Sequence, residues 1–307
     1  MDFQYTSFIL SVVIASTPLL LAATGELVAE RAGVLNLGVE GMMLVGAIAA
    51  FAVAVTTGSS TLGILAGVGA GVLTSLIFAL LTLSFLSNQV ATGLALTIFG
   101  TGLSALIGKA YVGMVVARLP QIHIPGLSDI PFFGPVFFGQ DVLVYVSFAL
   151  VAAVYWFLFR THAGLVLRAV GDSHDAAHAI GFPVIKIRYL AVMFGGGMSG
   201  LAGAYMAIAY NTSWSEGMTA GRGWIALALV VFATWRPFWL VVGAYLFGSI
   251  MYLSLYIQGF GVHIPSQFIS ALPYASTVVV LVAISRDRKR IRLNAPASLG
   301  KTFHAAG

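Results

Sequence analysis

The sequence predicts an all-α fold, a polytopic bundle of about nine spans (eight to ten), each needing about 20 mainly apolar residues. Three observations carry this. Of 307 residues, 59% are hydrophobic and 8% charged, against about 25% charged in an ordinary soluble domain, so a water-facing surface cannot be furnished. Charge is also absent in blocks: no Asp, Glu, Lys or Arg occurs in Phe3–Thr24, Gly41–Gly108, Val142–Phe159, Tyr189–Ser215 or Pro237–Ser285. Finally, Leu62–Phe85 lacks the alternation of a membrane β-strand. Cysteine is absent, which removes a disulfide framework, a thiolate nucleophile and a cysteine-ligated metal.

The expected spans, in order, are 5–24, 40–57, 62–85, 89–108, 141–159, 187–210, 223–235, 238–257 and 267–285. Met1-Asp2 precedes the first without a basic n-region, so 5–24 is expected to be a retained helix and not a cleaved signal. Orientation follows from Lys and Arg. Arg160, Arg168, Lys186 and Arg188 mark segment 160–188 as cytoplasmic, Arg236-Pro237 marks an inner turn, and Arg286, Arg288, Lys289, Arg290, Arg292 and Lys301 mark the C-terminus. With nine spans the N-terminus lies outside and the C-terminus inside. The chain divides into a membrane domain, 1–285, and a basic cytoplasmic tail, 286–307. The net charge of +5 sits at span ends and not in a patch with interleaved aromatics, so no nucleic-acid partner is expected.

Segment 109–140 is external, and Pro120, Pro125, Pro131 and Pro135 exclude a regular helix through it. The outer loop 211–222 leads through Gly221-Arg222-Gly223 into 223–235, too short for a full crossing and expected to be a short or broken helix. Gly63, Gly67 and Gly71, and Gly196, Gly200 and Ala204, recur every fourth residue; small faces of this kind let helices approach closely in lipid. Polar residues at membrane depth are costly, so they are candidates for a translocation path: Asn36, Glu40, Asn88 and Gln89 near inner ends, Glu216 and Arg222 near an outer end, and Trp214 and Trp224 as stacking surfaces. Each has a structural alternative. Glu40 suits the first turn of a helix, Glu216 and Arg222 could pair, and tryptophan belongs at any membrane interface.

Residues 172–183, Asp-Ser-His-Asp-Ala-Ala-His-Ala-Ile-Gly-Phe-Pro, fit neither a span nor a simple loop. Asp172 or Ser173 can cap a short helix, Asp175 places negative charge in its first turn, Gly181 can take the left-handed end and Pro183 stops it. Ala176, Ala177 and Ile180 are expected to form a small apolar face. An isolated two-turn helix is marginal in water, so it needs a surface, either the protein's own or a partner's. His174 and His178 have the spacing of a metal pair, but no third ligand is in view.

Here the sequence resembles a known family. Asp175-Ala176-Ala177-x-x-x-Gly181 matches the core of the EAA motif of ATP-binding-cassette importer permeases, with Asp for Glu. The stretch from Leu167 through Gly171 and Asp172 to Gly181 is similar to permeases for branched-chain amino acids, simple sugars and nucleosides. The Ile-x-Leu-Pro ending of other importers is missing after Gly181, which separates the chain from maltose-type permeases. Glu30–Met43 is similar to the early signature of this branch, and Asn88–Val90, Ile124–Ile130 and Met218–Gly223 resemble its nucleoside and simple-sugar members.

The resemblance implies a type II-like importer permease in the inner (cytoplasmic) membrane, working beside a second homologous permease subunit, cytoplasmic ATP-binding subunits and an extracytoplasmic substrate-binding protein, with membrane lipid around it. The chain itself is not an enzyme and binds no cofactor. It lacks G-x-x-x-x-G-K-[ST], so ATP and Mg belong to the partner ATPase. Gly171, Asp172, Asp175, Ala176, Ala177, Ile180 and Gly181 would form a coupling helix in a groove of that ATPase, with 186–210 as the rigid link. Segments 40–57 and 223–235 run oppositely, as an inverted repeat would. Nucleosides are the first substrate expectation, then simple sugars, then branched-chain amino acids. An ion-coupled secondary transporter, the rival of another class, would need midplane acids or bases, which these spans nearly lack.

Overall fold

In the computed structural model the described residues are 2–123, 125–128, 130–131, 133–259, 266–285 and 294–304. They form twelve α-helices. The apolar windows become α1 (Asp2–Arg31), α2 (Val39–Thr57), α3 (Ser60–Ala79, continued by a π turn at Leu80–Ser84) and α4 (Gln89–Gly108). After a short α5 (Phe133–Phe138), α6 spans Val142–Arg160, and two shorter helices follow, α7 (His162–Asp172) and α8 (His174–Ala179). The rest are α9 (Val184–Tyr205, continued by a π turn at Met206–Tyr210), α10 (Arg222–Phe232), α11 (Pro237–Gly259) and α12 (Ser266–Ser285). The only β features among the described residues are two isolated bridges, Val115 with Ser213 and Gln121 with Asp141.

Six of these helices are long and apolar enough to cross a membrane, those beginning at Thr6, Val39, Ser60, Gln89, Val142 and Val184. α10 has 11 residues, about 16 Å at 1.5 Å per residue, roughly half a hydrocarbon core of about 30 Å. It is the short helix expected at 223–235. α11 and α12 occupy the last two expected spans. The clearest departure is α1: the expected span ended at residue 24, but the helix runs to Arg31, carrying Glu26 and Glu30 into the interior. α7 was also not expected as a helix. Thr161 caps it, accepting from the Gly164 amide at 3.0 Å. Within the proline-rich 109–140 segment, α5 is the one exception to irregular structure beyond a single turn, and Pro135 lies in its first turn, where a missing amide costs nothing.

Helices α1, α2 and α9 form the centre, and α3, α4 and α6 turn apolar faces such as Leu65, Leu73, Ile98, Leu106 and Trp156 outward. The two small-residue stripes pack on each other and on α2. A Cβ on Gly71 would strike the Gly196 carbonyl, one on Gly67 would strike Ala204, and one on Gly203 would strike the Met43 carbonyl. α2 runs parallel to α9, with Gly46 against Gly200 and Ala50, Ala54, Ala204 and Ile208 in one cluster. Backbone-to-backbone contact at this density supplies the dispersion that holds helices together where lipid removes the hydrophobic drive.

Candidate functional site

The first candidate region is the break between α1 and α2. Gly33, with φ +84°, reverses the chain, and a Cβ there would meet the Arg188 guanidinium. Residues 34–38 are non-helical, so inside a membrane their amides and carbonyls need protein partners. Side chains supply several of them. The Asn36 amide donates to Glu26 Oε1 (3.1 Å), the Leu35 amide to Gln89 Oε1 (2.8 Å), the Gly38 amide to Asn36 Oδ1 (2.9 Å), and Thr97 Oγ1 to the Leu37 carbonyl (3.0 Å). Asn36 and Gln89 are buried here as supports of an irregular backbone, while Asn88 is exposed and caps α4 by accepting from the Ala91 amide at 3.0 Å.

Glu40 holds the second break. Its carboxylate is buried and accepts from Thr219 Oγ1 (2.6 Å) and the Gly221 amide (2.7 Å) on Oε1, and from the Gly223 amide (2.5 Å) on Oε2. A carboxylate on orphan amides at a helix N-terminus is favoured both as a cap and by the dipole. The helix so capped is α10, across the fold, and Glu40 also sits in the first turn of its own α2. Gly221 has φ +79°, and a Cβ on Gly223 would overlap the Glu40 backbone, so only glycine permits this approach. The expectation that Glu40 lies near an inner end and 219–223 near an outer end is corrected by this contact. Residues 34–38 climb back from the end of α1, and α10 begins only about 16 Å from its own inner turn, so the two N-termini meet inside the bundle.

The Glu216–Arg222 pair, the structural alternative for these two residues, does not form. Glu216 is exposed, whereas Arg222 is buried, donating to the carbonyls of Met218 (3.4 Å) and Thr219 (3.2 Å) and lying 5.4 Å over the Tyr210 ring. Tyr210 belongs to the π turn that ends α9, so Arg222 links that helix to the start of α10. Trp214 is buried with its indole against Gly108, where a Cβ would collide with it, and is packed rather than available for stacking; Trp224 is half-buried against the core.

At the opposite end of α10 the chain turns through Thr234 and Trp235, both with positive φ (+47° and +54°), an unfavourable conformation for bulky residues. The turn is held from α1: Trp235 Nε1 donates to Glu30 Oε2 (2.6 Å), and Arg31 donates twice to the Trp235 carbonyl (3.2 and 2.8 Å). Glu26 and Trp235 carry no sequence expectation, and Glu30 enters only as the start of the Glu30–Met43 signature. The available signal was two acids four apart continuing the register of an apolar helix, on one face of it.

The predicted short helix is present as α8. Ser173 is its cap, accepting from the Ala176 amide at 3.3 Å, and Gly181 has φ +90°. The expected joint face of Ala176, Ala177 and Ile180 is split. Ala177 is buried with Val170, Val184 and Phe303, while Asp175, Ala176 and Ile180 point outward, Ile180 being 72% exposed. Spacing explains this, since Ala177 lies 100° round from Ala176. Of the flanking residues, Gly171 is buried against the Arg31 carbonyl and Asp172 is exposed.

The two histidines clasp Phe303, each ring 5.3 Å from it and edge-on. No group of three potential ligands accompanies them among the described residues. Arg188 anchors the inner side of α8. This buried residue of α9 donates to the carbonyls of Ala32 and Lys301 (both 3.1 Å) and to His174 Nδ1 (3.1 Å). An arginine only donates, so Nδ1 is the acceptor and the neutral ring carries its proton on Nε2, 3.5 Å from Asp175. Burial first, then Arg188 and Lys301, hold the His174 pKa below 6.5, opposed by Asp175. Residues 294–304, expected only as part of a basic tail, thus fold back on this end: the Ser298 amide donates to the Gly171 carbonyl (2.9 Å) and the Gly300 amide to that of Gly33 (3.2 Å). The remainder of the expected basic cluster, 286–293, lies outside the described residues, as do Ile124 and Asp129 of the 124–130 motif.

The described residues thus form a helical bundle of membrane type, with broken helices meeting in its interior and two short helices docked at one end. Residues 8–284 match the family described as "Branched-chain amino acid transport system / permease component", and the chain belongs to that family. It is 41% identical to TsgC13 of Haloferax volcanii, named provisionally as a glucose ABC transporter permease protein, over 94% of this chain and 95% of that one. It is 33% identical to NupQ of Bacillus subtilis, a guanosine ABC transporter permease protein, over 89% and 92%. It is 32% identical to NupC of Lactococcus lactis subsp. cremoris, a nucleoside ABC transporter permease protein, over 88% and 90%. The chain is therefore the multi-pass membrane permease component of an ATP-binding-cassette importer, a transport subunit and not an enzyme, of a family that operates with ATP-binding and substrate-binding partners.

Proposed function

We propose that this permease carries a nucleoside, with α8 as the coupling helix and the Glu40 junction as the moving part of the translocation path. The arginine-rich end then faces the cytoplasm, and the chain pairs with a second permease subunit. The observation that carries the coupling role is the exposed face of α8: Ile180, Ala176 and Asp175 are exposed while His174 and Ala177 are anchored beneath. A free apolar side chain on a soluble two-turn helix suits a groove in the ATPase. Motion there passes directly into α9, which starts three residues after Gly181 and continues through the π turn to Tyr210 and Arg222. Gly171 and Asp172 end α7 just before the Ser173 cap, and Gly181 follows the other end of α8.

Two relatives are named for guanosine and nucleoside transport, which supports the nucleoside reading. The 41% identical relative named for glucose supports a simple sugar as the second. Both are neutral polar solutes, compatible with a path whose buried carboxylate, Glu40, is already satisfied by three donors. The test is competition. Uptake of labelled guanosine by the complete importer, in proteoliposomes with its binding protein, should be blocked by unlabelled nucleosides and not by glucose. Glucose uptake insensitive to nucleosides would reverse the order of the two readings.

A further inference from the structure

A cavity of about 590 Å³ opens between the ends of α1, α6, α7 and α11, and four arginines line it, Arg31, Arg160, Arg168 and Arg236, with Asp172 the one carboxylate in its lining among the described residues. Their charges are near enough to act on one another: Asp172 attracts Arg31, while Arg168 and Arg236 both repel it. Like charges gathered at one place cost free energy unless an anion joins them. Arg31 forms the floor, its donors committed to the carbonyls of Trp235 and Asn294. The other three have no such commitment. Arg168 lies 5.0 Å over the Phe159 ring, and its Nε is shielded from solvent with no hydrogen-bond partner. Arg160 and Arg236 are exposed, and among the described residues no carboxylate forms an ion pair with either.

The surroundings name the anion's carrier. Tyr155 and Trp239, 48% and 44% exposed, also line the cavity. They stand on the outer helices α6 and α11, within a turn or two of Arg160 and Arg236, the position of an aromatic belt at the headgroup level. A basic cavity between spanning helices on the cytoplasmic side, walled by such a belt, has the chemistry of an anionic lipid headgroup site.

We infer that this cavity holds the phosphate headgroup of an anionic phospholipid drawn from the inner leaflet. The phosphate takes the free donors of Arg160, Arg168 and Arg236, and the acyl chains leave past Tyr155 and Trp239. Because Arg31 also holds the Trp235 turn, the lipid braces the inner end of α10, so the site bears on the moving part of the permease without touching substrate.

The experiment uses the complete importer, exchanged into nanodiscs of phosphatidylglycerol or of phosphatidylcholine and then examined by native mass spectrometry with stepwise lipid removal. Phosphatidylglycerol should be retained by the permease and phosphatidylcholine lost. The double variant Arg160→Gln, Arg236→Gln removes two exposed charges worth about 1 kcal/mol each toward anionic lipid, so retention should fall about thirtyfold with the complex intact. Millimolar inorganic phosphate should not displace the lipid. Equal retention of the two lipids, or unchanged retention in the variant, overturns the proposal, as does displacement by inorganic phosphate, which would mark a soluble-anion site. Loss of the ATPase from the variant complex with lipid retention unchanged would assign the arginines to a protein contact and also overturn it.

Discussion

Glu40→Ala removes ATP-driven uptake and lowers the stability of the purified permease by about 3 kcal/mol or more, because it orphans donors that cost about 1–3 kcal/mol each where buried. Three donors lose their acceptor at once: the Thr219 hydroxyl and the amides of Gly221 and Gly223. The Thr219 and Gly223 bonds are buried and the Gly221 bond part-buried, and each buried orphan costs about 1–3 kcal/mol. The break at 34–38 and the start of α10 then lose their common tie. Glu40→Gln is expected to fall between, since one amide oxygen still accepts while the NH2 group faces a donor it cannot satisfy. Thermal unfolding in detergent and uptake in proteoliposomes check both variants. Alanine at full stability would mean that the carboxylate does not hold the junction.

Ala176→Trp is expected to do the reverse, leaving stability within about 0.5 kcal/mol while abolishing substrate-stimulated ATP hydrolysis. The residue is exposed on α8, so the indole fits the isolated permease and collides only with a partner seated on that face. Ala177→Trp, one position on, is the control. Ala177 is buried among Val170, Val184 and Phe303, where overpacking costs about 1–3 kcal/mol or more, so the permease itself should suffer. Measured stability and stimulated ATPase activity of the two variants, side by side, separate coupling from folding. Normal stimulated hydrolysis in Ala176→Trp would remove α8 from the coupling interface.

Much of this arrangement was legible in the chain because its causes are local. The apolar windows of α2, α3, α4 and α6 need nothing beyond their own composition, and α8 carries its cap, its glycine end and its proline stop within twelve residues. The small-residue stripes of α3 and α9 favoured packing over a binding site, and they pack on each other. What was hidden depends on partners distant in sequence. Glu26 and Glu30 look like the end of a span, because charge in an apolar run usually means water. They stay in α1 because the Asn36 amide and the Trp235 indole, the latter 205 positions away, reach them. Nothing local tells Glu40 to cap α10, 183 positions on, and a topology drawn from charge alone placed the two at opposite ends. α7 was overlooked because its amphipathic pattern lies in a segment already assigned to a loop. Phe303 between two histidines could not be foreseen from a stretch read only for its basic charge.

This chain is expected to move its solute only as one part of an ATP-driven assembly. The direct test is uptake of labelled guanosine into proteoliposomes holding either the complete importer or this permease alone, each with and without ATP on the ATPase side and with an imposed proton or sodium gradient. Accumulation only in the complete assembly, only with ATP, and indifferent to the gradient is the predicted result. Gradient-driven accumulation by the permease alone would contradict it and make the chain an ion-coupled carrier.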